Sequence, residues 1–361
     1  MRIAQVSHHF APCVGGVERV VRDISKALQE RGHEVKVICL NRCAYSRIDL
    51  PRKETVDGIL VERLKFVDLK YYKIAMGLLA SIRDSDIVHV HGIGFLSDFL
   101  IAMKVVHRKK VFVSTHGGIF HTGSVGLLKN VYFQGVQRAL LGFADGIVAV
   151  SRNDLVLFSG ICKNVALIEN GIHVSGFIPG KKAANSFLFV GRISRNKRVD
   201  RLIGAFAELP KKTGFSLVIA GTDWEGLLEG CRKLVREKGL AKKVRFVIGP
   251  SEDELKALYS SSEFFVSASE YEGFGLSLVE AMASGCIPIV HNNEGFGSIV
   301  RHGQDGFIAD FSGTETAAKA ISAAMKCGKK KMSRAAVARA MKFSISGKIT
   351  ELEGLYAAGK N

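Results

Sequence analysis

Residues 264–290 read F-F-V-S-A-S-E-Y-E-G-F-G-L-S-L-V-E-A-M-A-S-G-C-I-P-I-V. The apolar run Phe264 to Ser267 suits a strand buried on both faces. Gly273 and Gly275 then break the pattern and give the backbone a tight turn. From Leu276 the residues L-S-L-V-E-A-M-A-S predict an apolar helix that stops at Gly285, and Ile287 to Val290 supplies a second strand. Strand, turn, helix and strand in this order imply parallel pairing, with helices covering the sheet.

The pattern extends in both directions from this unit. Upstream lie strand candidates at Val244 to Ile248, Leu217 to Ala220 and Phe187 to Val190. Before them comes the Gly/Pro/Lys-rich stretch G-F-I-P-G-K-K-A-A-N at 176–185, and before that an earlier series of the same kind. Its strand candidates are Ile3 to Ser7, Val35 to Leu40, Ile87 to Val90, Val111 to Ser114, Ile147 to Val150 and Val165 to Ile168. Val17, Val20, Val21, Ile24, Ala27 and Leu28 recur with a helical period between the first two strands, and Gly32 closes that helix. The expected fold is α/β, with two Rossmann-like, doubly wound parallel-sheet domains facing a cleft. The domains span residues 1–178 and 186–342 and are joined near 178–185, with a final segment at 343–361. Ligands of such sheets bind beyond the carboxyl ends of the strands.

The chain has 361 residues, 47% of them hydrophobic and 24% charged, which excludes a largely disordered protein. With 51 basic and 34 acidic residues the net charge is +17, which favours anionic partners: nucleic acid, lipid headgroups or phosphorylated small molecules. Seven scattered cysteines without a C-x-x-C pair predict reduced thiols in a cytoplasmic protein. The amino terminus reads as a first buried strand rather than a signal peptide, and no apolar run approaches the ~18 residues of a membrane-spanning helix.

Three constellations carry chemistry. In E-G-F-G-L-S-L-V-E (272–280) the glycines let backbone approach a ligand, and the amides of the first helical turn suit an anion. Glu272 and Glu280 stand eight helical steps apart, on the order of 12 Å, too far for a close acid/base pair. They suit hydroxyls at opposite ends of a ligand whose phosphates rest on the helix start; the alternative is a helix-start charge plus an exposed surface glutamate. In V-G-R-I-S-R-N-K-R (190–198), Arg192 and Lys197 leave a strand end where fixed positive charge would neutralise a departing phosphate. A solvated basic turn is the alternative. Gly15 and Gly16 precede a helix start, but neither G-x-G-x-x-G nor G-K-[ST] is present.

Together these pieces resemble the retaining glycosyltransferases of family 4, sugar-nucleotide enzymes of the GT-B fold. The resemblance runs in order through G-G-V-E-R (15–19), D-I-V-H-V-H-G (86–92), S-T-H-G (114–117), A-D-G-I-V-A-V-S (144–151), I-E-N-G-I (168–172), G-R-I-S-R-N-K (191–197), the Glu272/Glu280 motif and the segment 343–356. It implies that Arg192 and Lys197 hold the donor pyrophosphate, that Glu272 contacts the transferred sugar and that Glu280 contacts the ribose. Amides around Phe274, Gly275 and Leu276, with Gly15 and Gly16, would complete the phosphate cradle. His116 would sit beside the donor sugar, and the final helix would cross back to the first domain. Arg198 departs from the family pattern, where glycine commonly follows the lysine.

The implied reaction is transfer of a hexose from a nucleotide-diphosphate sugar, UDP- or GDP-linked, to a hydroxyl of a glycan or lipid-linked acceptor, with retention. No cofactor beyond this co-substrate and no metal is expected. D-S-D at 84–86 mimics a metal triplet but precedes a strand at its amino end. The base pocket is expected near Val247 to Ser251. Residues 60–76 interleave Arg63, Lys65, Lys70 and Lys73 with Phe66, Leu69, Tyr71 and Tyr72. With H-R-K-K (107–110) and the loop 121–129, they suggest an acceptor side that touches an anionic membrane surface. The protein would then be peripheral on the cytoplasmic face; a solvated basic helix with core aromatics is the alternative. A sugar-nucleotide epimerase, another GT-B enzyme and a basic nucleic-acid-binding protein are the competing functions. No nucleic-acid motif is present, so no nucleic acid is expected as a partner.

Overall fold

The computed structural model describes residues 1–13, 15–43, 48–69, 72–116 and 132–359. The chain forms two compact units, one made of Met1–Gly171 with Ile345–Asn361 and the other of Ile172–Ser344.

In the first unit the apolar runs become β1 (Arg2–Ser7), β2 (Glu34–Leu40), β3 (Lys53–Val56), β4 (Ile59–Leu64), β7 (Ile87–His91), β8 (Lys110–Ser114), β9 (Gly146–Ala149) and β10 (Val165–Leu167). Between β4 and β7 lies a separate antiparallel ribbon, β5 (Phe66–Asp68) and β6 (Lys73–Ala75). The sheet order is β10-β9-β8-β7-β1-β2-β4-β3, parallel except for β3 on its edge. The order reverses between β1 and β7, so the loops after these two strands diverge and open a crevice at their carboxyl ends.

Alternate residues of this sheet face opposite layers. Ala4, Val6, Val88, Val90, Val111 and Val113 pack in one cluster, while Ile3, Ile87, Phe112 and Val148 face the helix Ile345–Ala358. That helix buries Ile345, Ile349, Leu352 and Tyr356, spaced to form one stripe. Each such side chain contributes about 1.5–3 kcal/mol of burial. Its polar flank is fixed by Glu353, which accepts from Arg31 at 3.1 Å and pairs with His33 at 2.8 Å.

The second unit contains β11 (Ser186–Val190), β12 (Ser216–Gly221), β13 (Val244–Ile248), β14 (Phe264–Ser267), β15 (Ile287–His291) and β16 (Phe307–Ala309), in the order β13-β12-β11-β14-β15-β16 and all parallel. Its central strands β11, β14 and β15 are buried on both faces. Phe187, Phe189, Leu217, Ile219, Phe264 and Val266 meet one helical layer, and Leu188, Ala220, Phe265 and Val290 meet the other. The reversal here falls between β11 and β14.

The junctions between the two compact units fall after Gly171 and after Ser344, so the expected join near 178–185 lies within the second unit, while the final segment belongs to the first. The Gly/Pro/Lys-rich stretch is tied to the second unit: Lys182 Nζ donates to the Tyr259 and Ser284 carbonyls at 2.9 and 2.6 Å, and the Ala183 amide donates to Ser261 O. The cysteines are not all reduced. Cys13 and Cys43 form a disulfide with Cα atoms 5.3 Å apart, because β1 and β2 are parallel neighbours whose following loops emerge side by side. Cys39, Cys162, Cys231 and Cys286 are free and buried, and Cys327 is free and half-buried.

Candidate functional site

The carboxyl ends of β11 and β14 bring two of the sequence motifs together. Lys197 Nζ lies 2.5 Å from Glu272 Oε1, and both side chains are largely enclosed. Lys197 ends a 3-10 turn, Arg195–Lys197, after β11, and its side chain runs over Gly191. Glu272 stands in the turn after β14. The two loops are joined by Asn196, which donates through Nδ2 to Tyr271 O at 2.9 Å and accepts from the Tyr271 amide at 3.1 Å. The Glu270 amide adds a bond to Asn196 O at 3.0 Å. A third loop supports them: Asn293 donates to Ser269 O at 2.8 Å, and a Cβ on Gly295 would fall 2.4 Å from Glu272 O.

Arg198 adopts φ 48, the left-handed region where a side chain costs ~1–3 kcal/mol. This explains why a glycine suits the position. The arginine is held there by Asp200 at 2.9 and 3.1 Å and by Glu270 at 2.7 Å. Arg192 is exposed, and its guanidinium lies 4.7 Å from the ring centroid of Trp224, the only tryptophan in the sequence. In this arrangement Arg192 is stacked on Trp224, while Lys197 is engaged by Glu272.

Gly275, at φ 105, precedes the helix Leu276–Ala283, and no side chain caps that helix start. A Cβ at Gly275 would lie 3.1 Å from the Phe296 ring. Phe274 is buried edge-on against Phe343, so the backbone rather than its ring is presented at the turn, and Leu276 is half-buried. Glu280, one turn into the helix, is 3% exposed and accepts from the Tyr259 hydroxyl at 2.9 Å. Burial removes the reading of Glu280 as a surface charge. Val247 to Ser251 lies at the carboxyl end of β13, where the Gly249 amide bonds Gly221 O and Ser251 caps the helix Glu252–Ser261.

The remaining site residues belong to the first unit. Gly15 is the extended residue before the helix Gly16–Glu30, and the Glu18 carboxylate folds over it. His116 follows β8 at φ 47, and its Nε2 lies 2.9 Å from His91 Nδ1. Burial pushes the His116 imidazole down to about 4 and His89 to about 3, with His91 also well below the usual range, so all three are neutral at pH 7. In the D-S-D triplet, Asp84 pairs with Lys36, and Asp86 accepts from the Arg2 side chain at 2.7 Å and the Arg2 amide at 2.8 Å. Among the described residues no cluster of His, Cys, Asp and Glu has the arrangement of a metal site.

The acceptor-side expectations divide. Arg63 is not a surface cation: its side chain is buried and donates to Pro51 O, Ala11 O and Glu54 Oε1 at 2.5–3.1 Å. Tyr72 also turns inward, donating to Asp98 at 3.1 Å with its ring edge-on to Phe95. The β5–β6 ribbon, not a helix, carries this segment, and it exposes Val67, Leu69, Ile74 and Met76 beside Lys65. Phe66 is half-buried with Lys73 5.2 Å from its ring centroid. In H-R-K-K, His107 and Lys110 bond to carbonyls, while Arg108 is exposed. Lys70, Tyr71 and the loop 121–129 lie outside the described residues.

Family comparisons match this geometry on both units. The family model described as Glycosyltransferase Family 4 matches residues 14–175, and that described as Glycosyl transferases group 1 matches 176–342. The GDP-mannose:cellobiosyl-diphosphopolyprenol alpha-mannosyltransferase of Xanthomonas oryzae pv. oryzae is 33% identical over 335 residues, covering 90% of this chain and 87% of that relative. The chain belongs to glycosyltransferase family 4. A protein of the same description from Komagataeibacter xylinus is 32% identical, covering 86% and 80% of the two chains. Anabaena Alr3699/HepE, solved in complex with UDP and glucose, matches with a TM-score of 0.79 at 16% identity over 99% of this chain and 100% of that one, a likeness of fold. The fold of this glycosyltransferase is GT-B.

Three residues of this family 4 glycosyltransferase escaped sequence reasoning. Trp224 and Tyr259 reach their partners only through the sheet order. Asn196 lay inside a motif already singled out, and an asparagine in a strand-to-helix turn is itself a signal of side-chain-to-backbone bonding.

Proposed function

We propose that the protein is a retaining, metal-independent hexosyltransferase that moves mannose from GDP-mannose to a sugar hydroxyl of a polyprenol-diphosphate-linked acceptor. The observation that carries this is the Lys197–Glu272 pair at the β11/β14 switch point, beside an uncapped helix start. The names of the 33% and 32% identical relatives support the donor and acceptor classes. Arg192 and Lys197 bind the donor diphosphate and take up its growing charge, together with the amides at Phe274, Gly275 and Leu276. Glu272 orients both Lys197 and the sugar, Glu280 meets the ribose, and Gly15 and Gly16 supply further amides. His116 lies against the sugar. The bond between the anomeric carbon and the β-phosphate oxygen breaks, and the acceptor oxygen bonds the same face. The acceptor proton passes to the leaving diphosphate.

The donor base is selected at Val247–Ser251. The acceptor is reached at an anionic membrane surface through the β5–β6 ribbon, whose exposed Val67, Leu69, Ile74 and Met76 stand beside Lys65. No described helix is long and apolar enough to cross a membrane. The test is transfer by purified protein, with GDP-mannose, UDP-glucose and ADP-glucose offered in turn with a diphosphopolyprenol disaccharide. An α-linked product from GDP-mannose that persists in EDTA is expected. Turnover only with another nucleotide, inversion, or loss in EDTA overturns the corresponding part. Flotation with anionic vesicles is expected to carry the protein, and Ile74→Asp with Met76→Asp to release it; flotation unchanged by these substitutions removes the ribbon from the account.

A further inference from the structure

The carboxyl end of the first unit's sheet carries a line of buried polar side chains on the face that meets the helix Ile345–Ala358. Gln5 of β1 is registered opposite His89 of β7, and His91 of β7 opposite Ser114 of β8. All four are between 0 and 2% exposed. From the helix, Tyr356 enters the same layer at 1% exposure. His91 Nε2 lies 2.6 Å from Gln5 Oε1, and His91 Nδ1 lies 2.9 Å from His116 Nε2. Beside them, the Tyr356 hydroxyl lies 2.7 Å from His89 Nδ1, while His89 Nε2 lies 2.8 Å from Ser114 Oγ.

The donors and acceptors in this chain fit one direction. A carboxamide oxygen only accepts, so the His91 nitrogen facing Gln5 Oε1 carries its proton. A neutral imidazole has a single N–H, which leaves His91 Nδ1 as a lone pair and makes His116 Nε2 the donor to it. Tyr356 and Ser114 engage the two ring nitrogens of His89 beside this pair. Burial keeps His89, His91 and His116 uncharged at neutral pH, as this bookkeeping requires.

We infer that Gln5 and His91 are positioning residues that lock His116 as its Nε2–H tautomer, so that Nδ1 is the acceptor it offers to substrate. An acceptor nitrogen suits a sugar hydroxyl and repels a phosphate oxygen, so the relay assigns His116 to the sugar rather than to the diphosphate. The inference rests on the reading above that His116 contacts the donor sugar. It adds that a glutamine on β1 acts through His91 on that contact without touching substrate.

Long-range 1H–15N spectra of the full-length protein labelled on histidine test the relay without any substrate. With His116 and His91 assigned by single substitutions, both are expected to carry their proton on Nε2. A proton on Nδ1 of either ring overturns the inference. Kinetics test its consequence. Gln5→Leu and His91→Phe are expected to lower kcat about tenfold or more while KM for the nucleotide sugar changes less than twofold. His91→Asn, whose Oδ1 falls near the position of the lost Nδ1, is expected to recover most of that loss. Equal loss in folded His91→Asn and His91→Phe overturns the positioning role. If His116→Ala turns over like the parent, the reading of His116 as a substrate contact fails, and the spectra still decide the tautomer.

Discussion

The two sheets have the same plan and opposite chemistry at their carboxyl ends. In each, the strand order reverses beside the first strand of the unit, β1 against β7 and β11 against β14. At β11 and β14 the loops carry fixed charge: Lys197 on Glu272, and Arg198 on Asp200 and Glu270. At β1 and β7 the strands carry neutral, buried hydrogen-bonding groups: Gln5, His89 and His91. The fold fixes where a ligand is met, and loop and strand-end residues decide whether it is met by charge or by hydrogen bonds. In the function proposed above, the first kind of edge takes the diphosphate, and the second offers His116 to the sugar.

The charged edge is expected to break most sharply. Lys197→Ala or Glu272→Ala should lower kcat at least about a hundredfold, the scale of losing one transition-state donor, with little change in Tm. Retained turnover would separate this pair from the chemistry. Asn196→Ala removes the two side-chain bonds that hold the β11 and β14 loops together. It should cost about 1–2 kcal/mol in urea unfolding, with a smaller fall in kcat than Lys197→Ala.

The neutral edge is expected to break with pH. His89 at about 3 and His116 at about 4 lie below the unfolded value of 6.5, so below 6.5 the unfolded chain binds protons that the folded chain does not. Stability is therefore full above pH 6.5 and falls as pH drops towards 4. Tm measured between pH 7 and about 5 should decline, and His89→Gln should flatten the slope. The smallest effect concerns Arg198→Gly, which relieves the left-handed backbone but gives up its ion pairs. Its unfolding free energy should stay within about 1 kcal/mol of the parent.

Much of this was legible in the sequence, for a physical reason. A strand buried on both faces must be apolar throughout, so Phe187–Val190, Phe264–Ser267 and Ile287–Val290 announce themselves, as do the glycines that end them. The Lys197 and Glu272 motifs were legible because each follows such a strand. What depended on neighbours was not. Cys13 and Cys43 meet only because β1 and β2 are adjacent. Residues 60–76 mix cations and apolar groups in a way that fits a surface element of either kind, and Arg63 is neutralised by Glu54, nine residues earlier on the paired edge strand. The stretch 176–185 has a linker's composition, yet Lys182 is anchored to two carbonyls of the second unit.

The interrupted make-up of the first unit has a consequence for synthesis on the ribosome. Its sheet is translated by Leu167, but the stripe of Ile345, Ile349, Leu352 and Tyr356 that covers one face arrives only after the whole second unit has been made. At about 5–20 residues per second that interval is on the order of 10–40 s. During it the nascent sheet presents Ile3, Ile87, Phe112 and Val148 without this cover, a window in which a holding chaperone has something to hold.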